Sequence, residues 1–171
     1  MNTDEVMSAP QTESETFSSP AQAPKNLAWH VDIDVYLEPE GTQPPFYLET
    51  YLPKDANGQI IFENHGRDGF KINFNLHDPH STGYCFPSNS KKDEAVWSEL
   101  GDGACPSSAK ADVLKVLRVE PGEMTVVVYN RNPEPAQGEF GYTLRVTKDD
   151  GLNYLALDPG GINQNGRVSV G

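Results

Sequence analysis

Apolar and polar residues alternate with a period of two along much of the chain between residues 27 and 150. In residues 27–39, Val31 and Ile33 lie on one side of an extended chain and Asp32 and Asp34 on the other, which is typical of a half-buried β-strand. The same alternation predicts strands in residues 69–77, 123–132 and 139–147. Weaker apolar runs add residues 46–53, 59–64 and 111–120, which makes about seven strands.

The last of the strong strands shows what the pattern implies for individual side chains. In residues 139–147, Phe140 and Tyr142 are expected to face a core, whereas Thr143 and Thr147 are expected to face the solvent. Residues 91–100 come nearest to a helical period and would support one or two helical turns.

Turn-forming pairs separate the predicted strands. They are Asn57-Gly58, Asp68-Gly69, Pro121-Gly122 and Asp150-Gly151. Short strands without crossover helices favour an all-β fold over an α/β fold. We therefore predict an antiparallel two-sheet sandwich of the immunoglobulin-like or cupredoxin-like kind.

The two ends of the chain differ from the alternating region. Residues 1–25 are rich in Ser, Thr, Pro, Gln, Glu and Ala, and such a composition does not bury enough apolar surface to offset the entropy of ordering. We predict a disordered acidic tail there and a sandwich domain over residues 26–150. Residues 151–171 contain turn-forming stretches between short apolar ones, so a strand-turn-strand segment and a flexible tail are both open.

The charge balance is strongly acidic, with 13 Lys and Arg against 25 Asp and Glu and a formal net charge of −12. Nucleic acids and anionic membranes are therefore not expected as partners, because no excess of cationic side chains is present to neutralise phosphate. No apolar run reaches the roughly 18 residues of a transmembrane helix, and residues 1–25 lack the features of a secretory signal. We therefore expect a cytoplasmic protein.

Both cysteines, Cys85 and Cys105, lie in loop-like sequence. A reducing compartment favours free thiols. A Cys85–Cys105 disulfide that closes a loop of about 20 residues is the open alternative.

Three of the four histidines fall within 16 residues, so this segment is the candidate for metal chemistry. His65, His77 and His80, with Asp78, would supply imidazole and carboxylate ligands to a divalent ion such as zinc. A blue-copper site is not expected, because neither Cys nor His follows residue 105. The alternative is that Asp78 begins a turn and the histidines are exposed loop residues, in which case no cofactor is bound.

A second polar segment, residues 130–138, joins two strong predicted strands. Its Asn and Pro residues are explained by a rigid turn. As a functional hypothesis, it joins loops 64–69 and 77–92 in one ligand-binding surface at one end of the sandwich. The candidate ligand-binding residues are His65, His77, Asp78, His80, Asn130, Arg131, Asn132 and Glu134.

Tyrosines at outward-facing strand positions are a further feature. They are Tyr36, Tyr47, Tyr51 and Tyr129. Cross-strand packing explains them without function, and stacking on a sugar ring or anchoring of a partner is the functional alternative.

Three sequence elements resemble the DP-EP family of small bacterial proteins. They are HDPHSTGYCFP, VYNRNPEPAQGEFGYTLRVT and LDPGGINQNG, and the resemblance covers about residues 27–166. It implies a bacterial, soluble, sandwich-like domain. No mechanism comes with the resemblance, so it assigns no functional residue.

The sequence contains no catalytic signature, neither a Gly-x-Ser-x-Gly elbow nor a Walker or dinucleotide fingerprint. The leading hypothesis is therefore a non-enzymatic module that binds an unknown protein or glycan through loops at one end. One alternative is a metal-binding protein or metal-dependent enzyme that uses the histidine segment. The other is a structural subunit that assembles through an exposed edge strand.

Overall fold

The computed structural model describes residues 30–63, 70–101, 106–130, 138–159 and 161–164. Within these residues the chain forms ten strands and one short 3-10 helix, at Asn89–Glu94. The first five strands are β1 (His30–Leu37), β2 (Phe46–Glu49), β3 (Ile60–Glu63), β4 (Phe70–His77) and β5 (Val96–Leu100). The others are β6 (Leu114–Val119), β7 (Thr125–Asn130), β8 (Gly138–Val146), β9 (Leu155–Leu157) and β10 (Gly161–Gln164). No helix in the described ranges is long and apolar enough to cross a membrane.

The strands form two sheets, and the predicted all-β sandwich is confirmed. Sheet A has the order β2-β1-β4-β7-β6, and sheet B has the order β3-β10-β8-β5 with β9 also paired to β8. Two details of the prediction are wrong. The described residues hold ten strands rather than about seven, and the sheets are mixed rather than antiparallel, because β1 pairs with β4 and β3 pairs with β10 in parallel. Side-chain alternation sets which side of a strand is buried but carries no information on strand direction, so it did not reveal the parallel pairs.

The core lies between the sheets and includes many of the inward positions that the alternation predicts. Ile33 of β1 and Phe74 of β4 are fully buried on the sheet A side, and Phe140 and Tyr142 of β8 are fully buried on the sheet B side. The rings meet across the interior, since the Phe74 and Tyr142 centroids are 5.8 Å apart. Tyr142 also contacts Phe140 at 5.7 Å and Phe62 at 6.4 Å. One aromatic cluster therefore joins the two layers.

Residues 91–100 depart from the expected helical turns. The 3-10 helix ends at Glu94, and Val96–Leu100 continue as strand β5 with Val96 and Ser98 buried. The alternation of this strand was hidden because a serine occupies a core position. The Ser98 hydroxyl accepts hydrogen bonds from the backbone N–H groups of Val113 (3.2 Å) and Leu114 (2.8 Å), so it links sheet B to the start of β6 in sheet A.

The outer side of sheet B is partly covered, which corrects the expectation for its threonines. Thr143 and Thr147 are buried rather than exposed. The Thr143 hydroxyl donates to Asp158 Oδ1 at 2.6 Å, and the Thr147 hydroxyl donates to Asp149 Oδ1 at 2.8 Å. Residues after β8 therefore return over these positions and supply the polar partners that a buried hydroxyl requires.

Next to the threonines, Arg145 lies between two aromatic rings. Its Cζ atom is 3.6 Å from the Trp97 ring centroid and 3.9 Å from that of Tyr154. The guanidinium also donates to the backbone oxygen of Glu94 at 3.1 Å and pairs with the Glu94 carboxylate. This cation–π stack fixes the 3-10 helix and the segment before β9 to the same side of sheet B.

Strands β9 and β10 run along the same edge of β8. Leu157 lies opposite Leu144, and Gly161 lies opposite Phe140, so the antiparallel register is unchanged between the two strands. Pro159 lies in the interval, and because it has no backbone N–H it interrupts the ladder. Residues 155–157 and 161–164 therefore extend in one direction along β8 instead of folding back as a hairpin.

Candidate functional site

An aromatic row occupies the outer side of sheet A. Tyr47 of β2, Tyr36 of β1 and His77 of β4 lie directly opposite one another in the strand register. The ring centroids of Tyr36 and Tyr47 are 4.9 Å apart with an interplanar angle of 8°, and those of Tyr36 and His77 are 4.5 Å apart at 13°. Both ring sides of Tyr36 are therefore covered by its neighbours. Tyr47, at the edge of the sheet, is 44% exposed.

A row of polar and acidic residues runs beside the aromatic row. Glu49, Asp34 and Asn75 are neighbours in the register, and Asp32 lies two positions before Asp34 along β1. Asp34 Oδ1 is 2.8 Å from His77 Nε2, which ties the two rows together. Asp32 accepts hydrogen bonds from the side-chain amides of Asn73 and Asn75 at 3.0 and 3.3 Å.

These carboxylates influence the aromatic row. Partial desolvation, with the negative charges of Glu49 and Asp34, raises the pKa of the Tyr36 phenol above its ordinary value. Glu49 and Asp34 thus place negative charge beside the middle of the row.

Asp78 organises the loop that follows β4. Its Oδ1 accepts from the backbone N–H and the hydroxyl of Thr82, both at 2.9 Å, and its Oδ2 accepts from the N–H of Gly83 at 2.9 Å. Partial desolvation opposes ionisation of this carboxyl, but the hydrogen bonds from Thr82 and Gly83 outweigh it and hold the pKa below its ordinary value. Asp78 therefore acts as a structural acceptor within its own loop, and His80 is exposed beside it.

A cavity of about 320 Å³ opens at the same end of the sandwich, between the loop after β1 and the loop that Asp78 holds. We call it the corner pocket. Its lining residues are Leu37, Glu38, Pro39, Glu40, Gly41, Thr42, Gln43, Pro45, Thr82, Tyr84 and Leu155. Two backbone hydrogen bonds brace the first loop, from Glu38 N–H to Pro45 O at 2.9 Å and from Thr42 N–H to Pro39 O at 3.1 Å.

A cation contacts two residues that line the corner pocket. Lys148, just after β8, pairs with Glu40, and its Nζ atom lies 4.7 Å from the Tyr84 ring centroid. The hydrogen bond to Glu40 raises the pKa of the Lys148 ammonium, so this group stays charged at neutral pH. Glu38 has no such partner among the described Lys and Arg side chains, and the pocket carries net negative charge.

Among the described candidate ligand-binding residues, the structure brings three together and separates the fourth from them. His77, Asp78 and His80 lie at the end of β4, beside the corner pocket, but Asn130 lies opposite Phe70 at the start of β4 and is fully buried. The eight residues of β4 span seven steps from Phe70 to His77, a distance of about 23 Å at about 3.3 Å per step. Asn130 therefore lies apart from His77, Asp78 and His80. Residues 64–69 and 131–137 lie outside the described residues, so the prediction that loops 64–69, 77–92 and 130–138 meet in one surface stays untested.

The other four candidate ligand-binding residues lie outside the described residues. They are His65, Arg131, Asn132 and Glu134. The metal hypothesis was based on closeness in sequence, and an extended strand lies between the segment that contains His65 and the one that contains His77. Among the described ranges, no three His, Cys, Asp or Glu side chains are grouped closely enough to hold a metal ion. A site that includes His65 stays an untested prediction.

Cys85 carries a free thiol in the structure, and Cys105 lies outside the described residues. The thiol points to the backbone oxygen of Thr147 at 3.6 Å and to Glu123 Oε2 at 3.8 Å. Desolvation and the nearby Glu123 carboxylate raise its pKa, so the thiolate is disfavoured and the sulfur is a poor nucleophile.

Sequence reasoning missed the corner pocket and anticipated part of the aromatic row. Cross-strand packing is confirmed for Tyr36 and Tyr47. The segment 38–45 is rich in Pro and Gly and has the sequence of an ordinary loop. Nothing local in the sequence shows that Tyr84 and Lys148 approach it. Strand order alone brings these parts together.

Comparison of the sequence with models of protein families gives no match, and no curated protein is significantly similar to it. The resemblance to the DP-EP family therefore stays a prediction.

Proposed function

We propose that this chain is a non-catalytic binding module, and that its ligand-contacting surface is the corner formed by the aromatic row and the corner pocket. The observation that carries the proposal is the juxtaposition of the two. Tyr36 belongs to the aromatic row, and the pocket is lined by Leu37, the last residue of β1, and by Glu38, which follows it. A ligand at this corner would contact an exposed aromatic edge and a polar cavity together.

The corner is already organised before any ligand arrives, which supports a binding role. The ring stack holds Tyr47, and four hydrogen bonds within residues 78–83 hold the loop on the other side. Surfaces held in this way lose little conformational entropy on association. A cavity of about 320 Å³ is also near the lower end of the range of roughly 300–1,000 Å³ for small-ligand sites.

Of the two partner classes expected from the sequence, the aromatic row favours a protein over a glycan. A sugar ring needs an open aromatic side on which to stack. Both sides of Tyr36 are covered by Tyr47 and His77, so within the row only the edge residue Tyr47 offers such a side. Tyrosine edges and hydroxyl groups of this kind are typical of protein–protein contacts. The immunoglobulin-like or cupredoxin-like grouping and a bacterial origin are part of the same proposal.

The test is a binding screen with the full chain, followed by mapping. Arrays of peptides and of glycans are probed, and each hit is titrated into the ¹⁵N-labelled chain. Tyr47→Ala and Thr42→Trp, which fills the pocket, are compared with Lys115→Ala on the exposed far edge of sheet A. Hits that shift corner resonances and are lost only in the first two variants support the proposal. Hits that bind equally to all three variants, or a screen in which no probe shifts the corner, overturn it.

A further inference from the structure

The outer side of sheet A is divided by charge. The two strands at one edge, β1 and β2, present three carboxylates, and the strands toward the other edge present three cations. The carboxylates are Asp32, Asp34 and Glu49, and the cations are Lys71, Lys115 and Arg118. The acidic half contains the aromatic row, so aromatic rings and carboxylates share one surface.

The acidic half has little internal compensation. Asp32 accepts only from amide groups, and neither Asp32 nor Glu49 pairs with a Lys or Arg side chain among the described residues. Arg118, in the basic half, is by contrast paired with Glu120. Both acids are exposed, so a cation that arrives from solution reaches them without displacing a described Lys or Arg side chain.

An exposed aromatic ring accompanies the carboxylates at the β2 edge. Tyr47 of β2 is 44% exposed, and Tyr51, two residues beyond the end of β2, is 62% exposed. A phenol ring attracts a guanidinium or ammonium group to its π side, and nearby carboxylates strengthen the attraction through the negative potential. An aromatic ring beside a carboxylate is therefore a matched receptor for an Arg or Lys side chain.

The edge of the sheet does not favour a second copy of the chain. β2 has only four residues, and Lys54 Nζ donates to the outward-facing oxygen of Leu48 at 3.1 Å, which blocks part of the strand edge. The net charge of −12 also opposes self-association and attracts cationic partners.

From this charge and ring arrangement we infer that the corner binds an extended Lys- or Arg-bearing segment of another protein, which lies across β2 and β1. The inference rests on the proposed function, and it adds the chemistry of the partner. Cationic side chains would contact Tyr47 and Glu49 at the edge and Asp32 further in, while the segment itself continues toward the corner pocket with its Glu38.

The experiment uses three capped decapeptides, with Arg and Ser alternating, Glu and Ser alternating, and Gln and Ser alternating. Each is titrated into the full chain by calorimetry and by ¹⁵N spectra at low and high salt. We expect the Arg peptide alone to bind, with shifts at the corner and with affinity that falls as salt screens the charges.

Matched charge variants separate a local contact from a general attraction. Asp32→Asn with Glu49→Gln removes two negative charges at the site, and Asp93→Asn with Glu139→Gln removes two exposed ones elsewhere. For the double variant at the site we expect the Arg peptide to bind about tenfold more weakly, which is near the largest effect that two surface ion pairs produce. For the double variant elsewhere we expect binding to weaken less than twofold. Glu49→Gln alone, the mildest change, should weaken binding about threefold.

Equal weakening by the two double variants, or shifts of the Arg peptide outside the corner, would overturn the inference. So would tight, salt-independent binding of the Gln peptide at the corner, although that result would leave the binding module itself supported. If no probe of any charge shifts the corner, the proposed function fails as well.

Discussion

The hydroxyl group of Tyr142 provides a sharp test of how the core is held together. The residue is fully buried at the centre of the aromatic cluster, and its oxygen has no hydrogen-bond partner among the described residues. Burial raises the pKa of this phenol far above its ordinary value, because the charged form has no solvation there. We expect Tyr142→Phe to keep the ring contacts with Phe74 and Phe140 and to remove only the unsatisfied group.

The magnitude follows from two opposing contributions. Burial of a hydroxyl group without a partner costs about 1–3 kcal/mol in proteins. The void left by one oxygen atom costs only about 0.5 kcal/mol, at the rate of about 24 cal/mol per Å³ of cavity. The free energy of unfolding of the Tyr142→Phe variant should therefore be about 1 kcal/mol larger than that of the parent chain, so the variant is the more stable of the two.

Urea denaturation followed by tryptophan fluorescence and by far-UV circular dichroism measures this difference. With an m value of about 2 kcal/mol/M, the midpoint should rise by about 0.5 M while m stays constant. Tyr51→Phe is the control, because Tyr51 is 62% exposed and its hydroxyl group reaches water. A loss of about 1 kcal/mol or more in the Tyr142 variant would refute the reasoning, since it would mean that the hydroxyl has a partner such as a buried water.

Two further predictions concern polar groups that do have partners. Ser98→Ala leaves the buried N–H groups of Val113 and Leu114 without their acceptor, so the free energy of unfolding should fall by about 2–3 kcal/mol in the same denaturation assay; an unchanged midpoint would contradict this. Asn153, through its side chain and backbone, and the Thr147 hydroxyl lower the pKa of Asp149 to about 2 from 3.8. The stability that Asp149 contributes is therefore complete above about pH 4 and is lost as pH falls through 2. Melting temperatures of Asp149→Asn should accordingly be lower than those of the parent chain at pH 5 and converge with them near pH 2; parallel curves would show that the carboxylate contributes nothing.

The strands could be predicted because their burial is regular. In β4, Ile72, Phe74 and Leu76 alternate with polar residues, and the structure buries those three. β5 was harder, because Ser98 occupies a core position and its bonding partners lie in another segment of the chain. Polar residues that are satisfied by distant backbone groups break the pattern on which the prediction depends.

The site could be predicted only in part, for a geometric reason. His77 and Asp78 were placed correctly at the end of a strand, but Asn130 was assigned to the same end and lies at the other. Closeness in sequence misleads across a strand, since each residue moves the chain by about 3.3 Å in one direction. The corner pocket depends on which strands are neighbours, and a single sequence does not state that order.

The parallel pairing of β3 with β10 also bears on how the chain acquires its structure during synthesis. All five strands of sheet A precede residue 131, so this layer can form while the ribosome still holds the rest of the chain. β3 pairs with β10 about 100 positions later in the sequence, a delay of several seconds at about 5–20 residues per second. During that interval Ile61 N–H can bond to Pro53 O, as it does in the folded chain, which shields one edge of β3 from unwanted partners. We expect the second layer to be the last to close, and the nascent chain to resist proteases only after residue 164 has left the exit tunnel.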